Sequence, residues 1–256
     1  MKRMKNPSRW MLVLVAALVL GGCVKVEQTL TLEKDGSGTL DVRYGMSEQT
    51  IAQMEAMQQM TESMGQEAAE DSGSEPPFDF DEAEVREQFE TEAPEGIELV
   101  SLSSESVDGW KYMNLKLTFD DLAALQQTDF FSDSELSLTK NADGNYVLVQ
   151  STGAGEAMPP TPPDGSDAAQ NAMMQQMAAM FAGMRIATTV VAPSEVIESN
   201  ATESDGREAS WVFDVDEDPT VLSKLQNMTL RMVFKGKGVD ISEFSSAPAE
   251  SEATTE

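Results

Sequence analysis

Apolar residues recur along this chain with two periods, and the switches between them lay out its elements. Val24, Val26, Leu30 and Leu32 alternate with polar residues, the pattern of a strand with one buried face. Lys34-Asp35-Gly36-Ser37-Gly38 interrupts the run as a turn, and Leu40, Val42 and Tyr44 resume it as a returning strand. Ile97, Leu99 and Val100 lead to a second hairpin through Asp108-Gly109, a pair suited to a turn whose two central residues both need positive φ. Beyond that turn Met113, Leu115, Leu117 and Phe119 line one face. The pattern predicts a third hairpin over 135–150, turning at 141–145, and strands near 185–192, 195–199, 210–215 and 228–235.

The helical period takes over in between. Ser47 is placed to cap a helix running to about residue 66, and a second helix is predicted over 81–91, with Val85 and Phe89 on one face. Short helices are predicted over 121–127 and 219–226, and a longer one over 168–184. Residues 67–77 are acidic and poor in apolar side chains, and 151–167 are rich in Gly, Pro and acids; both read as flexible linkers. Residues 237–256 read as a disordered acidic tail. Hairpins with interspersed helices predict an α+β fold: an antiparallel sheet with methionine-rich helices packed on one face, in one domain over 23–236.

The first 22 residues have a different character. Lys2, Arg3, Lys5 and Arg9 precede an apolar run over 11–20, too short to span a bilayer. Leu20, Gly21, Gly22 and Cys23 follow, a stretch similar to the lipobox of bacterial lipoproteins. That similarity implies a signal peptide over 1–22, recognised at Leu20, Gly21 and Gly22, and acyl chains on Cys23 that hold the chain to a membrane. Val24 rather than aspartate follows the cysteine, which favours the outer membrane where an organism has two.

Charge narrows the partners. The chain has 17 basic and 45 acidic residues; without residues 1–22 it keeps 13 basic against 45 acidic, a formal charge of −32. Such a surface repels nucleic-acid phosphates, so a nucleic-acid partner is excluded, and it favours covalent anchoring over electrostatic adsorption to a membrane. Cys23 is the sole cysteine and histidine is absent, which removes the commonest general base, the usual zinc ligand and any internal disulfide.

Candidate chemistry is sparse. Met54, Met57, Met60 and Met64, and again Met173, Met177, Met180 and Met184, fall on one side of their predicted helices. Core packing explains such a stripe first; an adaptable apolar groove for acyl chains or a partner helix is the second reading. Thioether coordination of Cu(I) is the third. Asp214-Val215-Asp216-Glu217-Asp218 begins like a calcium loop, but Pro219 and Leu225 stand where glycine and glutamate are needed. Asp79, Asp81 and Glu82 read as favourable charge at a helix start. Asn200-Ala201-Thr202 fits a glycosylation sequon by chance. No nucleophile elbow or phosphate loop occurs, so neither an enzyme nor a cofactor is expected.

Two stretches resemble the LppM-type lipoprotein family of mycobacteria. One is the opening, Cys23 followed by a strand, Asp35-Gly36-Ser37-Gly38 and a second strand. The other is Ala192-Pro193-Ser194-Glu195-Val196-Ile197-Glu198-Ser199-Asn200, then Asp205-Gly206 and Trp211-Val212-Phe213. Ser194 stands where glycine is usual, and the methionine helices are additions. The resemblance implies an α+β extracytoplasmic domain with an affinity for envelope lipids. Together these features predict a cell-envelope lipoprotein with a non-enzymatic binding or structural role, toward a lipid or other apolar ligand. The rival roles are docking of an envelope protein through the methionine helices and Cu(I) binding.

Overall fold

The computed structural model describes residues 24–63, 80–128, 130–131, 134–152, 181–218, 220–221, 225 and 228–245. Expectations for the signal segment, Cys23, the 67–77 linker, residues 153–167, Met64, Met173, Met177 and Met180 lie outside them.

The chain is mixed α+β, with most of its regular structure in strands. In order come β1 (Val24–Leu32), β2 (Gly38–Ser47), α1 (Glu48–Ser63), α2 (Glu82–Glu92), β3 (Ile97–Val107), β4 (Trp110–Phe119) and α3 (Leu122–Gln126). Then follow β5 (Ser134–Lys140), β6 (Tyr146–Thr152), β7 (Arg185–Val191), β8 (Val196–Ser199), β9 (Glu203–Asp205), β10 (Glu208–Asp214), β11 (Thr229–Phe234) and β12 (Phe244–Ser245). The predicted local chemistry operates at their ends. Ser47 Oγ accepts from Thr50 N at 3.2 Å, capping α1. Asp81 caps α2 by accepting from Ala83 N, and Asp121 caps α3 by accepting from Ala124 N. Asp108 and Gly109 both have positive φ, 52° and 76°, as a tight hairpin turn demands.

The single antiparallel sheet expected from the hairpins is instead two sheets. One has seven strands in the order β3-β4-β2-β1-β7-β10-β9, the other five in the order β12-β5-β6-β11-β8. The larger is not wholly antiparallel, because β1 and β7 run parallel, Lys25 opposite Arg185 through Thr31 opposite Val191. Hairpins specify their own pairing through the turn, whereas this pairing joins strands far apart in sequence.

Residues 192–200, which carry part of the family resemblance, take the chain from one sheet to the other. Pro193 ends β7, the chain enters the small sheet as β8 beside β11, and it returns as β9 and β10. Leu30, Leu40 and Leu117 of the large sheet and Leu138, Met232 and Phe234 of the small one lie in one buried cluster. Met54 of α1, Val85 of α2 and Leu125 of α3 join it, so the helices share the inner face of the large sheet.

Two further expectations change. Phe181–Gly183, expected to end a long helix, form a turn before β7. The tail expected from residue 237 still belongs to the fold at first: Val239 and Ile241 are buried, and Phe244 pairs with Leu138. Tyr146 holds this segment in place, its hydroxyl donating to Ile241 O at 2.8 Å and accepting from Ile241 N at 2.9 Å.

Candidate functional site

The residues singled out for an apolar groove are not gathered into one place by the described part of the chain. Met54 is buried in the main cluster. Met184 is buried in a smaller one with Phe181, Val215, Val221 and Leu225. Met57 and Met60 belong to α1. The acidic stretch after β10 folds on itself: Asp214 Oδ1 accepts from Asp216 N and Glu217 N, and Asp218 Oδ1 accepts from Thr220 N. Among the described residues no cluster of three or more acids is placed to hold a metal ion.

Polar chemistry gathers instead on the outer face of the large sheet. Strand parity creates it: with Leu30, Leu40, Val42, Leu115 and Leu117 turned inward, the intervening positions of β1, β2 and β4 must face outward. The parallel pairing sets Lys25 beside Arg185, and β2 and β4 extend that row through Gly45 and Tyr112. The next outward row holds Glu27, Arg43 and Asn114.

Opposite charges alternate across the strands. Arg43 reaches Glu105 at 3.1 Å and Glu27 at 3.7 Å, and Arg185 reaches Glu27 at 3.0 Å and Asp214 at 3.5 Å. Lys116 pairs with Asp41 at 2.9 Å farther along the strands. Pairs this exposed contribute about 0–1 kcal/mol each, so they fix side-chain positions more than they stabilise the fold.

Two aromatic rings underlie the cations. Trp110 and Tyr112, successive outward residues of β4, have centroids 6.2 Å apart. Lys25 Nζ stands 4.1 Å from the Trp110 centroid, and the Arg43 guanidinium carbon 3.8 Å from that of Tyr112. Gly45 makes room for Tyr112: a Cβ there would lie 2.3 Å from the ring. The ring therefore crosses β2 toward β1.

Between the strands opens a cleft of about 180 Å³, lined by Lys25, Glu27, Arg43, Tyr112 and Arg185. A shallower depression of about 230 Å³ adjoins it, lined by Thr29, Asp41 and Lys116 among others. The cleft can receive a small anionic or zwitterionic group, because donors outnumber the one carboxylate on its wall. Sequence reasoning missed it. Alternation marks each residue as outward-facing, but the β1–β7 register that brings Lys25 to Arg185 has no local signal.

No protein-family model and no curated protein sequence matches the chain. Among solved structures it is similar to the folded domain of LppM from Mycobacterium tuberculosis, determined by NMR. The two are 12% identical over 84% of this chain and 91% of that one, with a TM-score of 0.40. Among the described residues no helix is long and apolar enough to cross a membrane.

Proposed function

We propose that this chain is a cell-envelope lipoprotein, cleaved before Cys23 and anchored by acyl chains on it, with a non-enzymatic role in binding lipid or another apolar ligand. One observation carries the reading. The strand that follows Cys23 begins at Val24 and is an interior strand of the seven-stranded sheet. An acylated Cys23 thus leaves no tether, and the fold with its outer cleft sits against the bilayer. One acyl chain binds a membrane marginally, so stable anchoring takes two or three, as lipobox processing supplies. The acidic surface supports the same division of labour, with acyl chains rather than surface charge holding the membrane.

The test is intact-mass measurement of the membrane-extracted chain, with native mass spectrometry of its co-purifying molecules. The expected result is a chain beginning at Cys23 with added diacylglycerol, converted by Cys23→Ala to an unacylated precursor. A lipid-sized adduct on the mature chain supports the binding role. A chain retaining residues 1–22, or one cleaved elsewhere without acylation, overturns the anchoring. Absence of any lipid adduct after exposure to envelope lipids overturns the binding role.

A further inference from the structure

We infer that the Lys25–Tyr112–Arg185 cleft binds the headgroup phosphate of a phospholipid in the same leaflet as the anchor, docking the end of the sheet on its own membrane. This rests on the reading that Cys23 is acylated. Three observations converge on it.

The first is a set of uncommitted donors. Tyr112 is only 8% exposed, yet among the described residues its hydroxyl has no hydrogen-bond partner, and the residue lines the cleft. Among the described residues no buried polar side-chain atom lacks a partner, so this hydroxyl lies at the cleft surface, where it can donate to an entering anion. The Lys25 ammonium has three N–H donors, and among the described residues its contact is the face of Trp110, which accepts none of them in the manner of an oxygen. Arg185 engages its carboxylates through Nη1 and Nε, leaving Nη2 uncommitted among the described residues.

The second is charge. Glu27, Glu105 and Asp214 exceed Arg43 and Arg185 by one charge, and Lys25 brings the group to neutrality; among the described residues Lys25 makes no ion pair of its own, so it is the cation an entering anion would meet at short range. Glu27 also lines the cleft, and a headgroup bearing a hydroxyl or an amine beside its phosphate could donate to it. Asp108 and Glu48 stand at the same end of the sheet, so the contact is a local grip rather than a basic patch.

The third is reach. Lys25 lies two residues past Cys23, and two extended residues span about 7 Å. The cleft is thus held at headgroup depth. Trp110 beside it has the amphipathic ring that settles at a membrane interface.

The experiment titrates the acylated mature chain, held in a maltoside detergent, with dihexanoyl phosphatidylglycerol, dihexanoylglycerol, glycerol phosphate and inorganic phosphate, following tryptophan emission. Trp211 is buried, and Trp110→Phe identifies its constant background. The expected result is a saturable change in Trp110 emission with the phospholipid and none with dihexanoylglycerol. Lys25→Gln and Tyr112→Phe should each raise the apparent Kd at least fivefold with unchanged circular dichroism. An equal response to dihexanoylglycerol, or indifference to both substitutions, overturns the inference. Inorganic phosphate binding as tightly as the phospholipid assigns the cleft to a free anion and overturns it too. A chain whose mass shows no acyl group overturns the anchoring instead, so the two failures are told apart.

Discussion

The indole Nε1 of Trp211 donates to Oδ1 of Asn200 at 2.9 Å, and that one amide ties the two sheets together. The same oxygen accepts from Arg231 N at 2.8 Å, while Nδ2 donates to Thr229 O at 2.7 Å. Trp211 belongs to β10 of the large sheet, and Thr229 and Arg231 to β11 of the small one. The apparent glycosylation sequon has a structural role: its asparagine bonds through both Oδ1 and Nδ2, and Thr202 Oγ1 accepts from Val212 N at 3.1 Å.

Asn200→Ala should cost about 1–2 kcal/mol, since it removes the partner of the half-buried indole N–H of Trp211, while the two backbone groups of β11 can turn to water. Asn200→Asp keeps the acceptor but turns an oxygen toward the Thr229 carbonyl, and should be nearly as damaging. Urea unfolding monitored by tryptophan emission measures both. A loss below 0.5 kcal/mol in Asn200→Ala, on the order expected of surface positions, would remove the amide from the inter-sheet contact.

Gly45→Ala should lower stability by about 1–3 kcal/mol, because the new methyl displaces the Tyr112 ring from the sheet. In a Tyr112→Ala background the same change should be close to neutral. This double-mutant cycle isolates the close approach of the ring from any general intolerance of alanine in β2. Equal losses in both backgrounds would show that the ring does not occupy that space.

Truncation after residue 236 should destabilise the fold by several kcal/mol, by removing buried Val239 and Ile241 and stranding the hydroxyl of fully buried Tyr146. Tyr146→Phe in the full chain removes the latch alone and should cost about 1–3 kcal/mol. Thermal melts of the two variants separate the packing from the hydrogen bonds. A truncated chain that melts with the wild type would restore the simple tail expected from composition.

Glu82 of α2 accepts from Ser104 N at 2.7 Å and from its Oγ at 2.8 Å, covering part of the open edge of β3. Those two hydrogen bonds hold the Glu82 carboxyl below its ordinary value, the backbone one contributing most. A carboxylate depressed in the folded state adds stability that is complete above its unfolded pKa and lost as pH falls through the folded one. The stability gap between wild type and Glu82→Gln should therefore be constant near neutrality and shrink below about pH 4. A gap independent of pH down to acid unfolding would detach the carboxylate charge from the contact.

Local chemistry was legible in the sequence and distant pairing was not. Ser47, Asp81 and Asp121 announced three helix starts, and Asp108-Gly109 announced its hairpin, because caps and turns act within four residues. Three of the strands after Pro193 (β8, β10 and β11) were placed, but not their division between two sheets. β9 is three exposed residues, Glu203–Asp205, with no apolar alternation to detect. The cleft was hidden for a different reason: Arg185 and Glu27 meet across 158 residues of sequence, through a parallel register that no turn specifies. Of the methionine stripe, Met54 and Met184 are buried in separate apolar clusters.

The position of β1 has a mechanical consequence. A pull applied at Cys23 enters the fold along the axis of a strand flanked by neighbours on both sides, in register over nine residue pairs with β2 and seven with β7. Load in that direction acts in shear, so the ladders on both sides must yield together rather than unzip one bond at a time. An edge strand in the same place would be held by one ladder alone. An anchor at Cys23, as proposed, would load the sheet in the direction in which it is hardest to open.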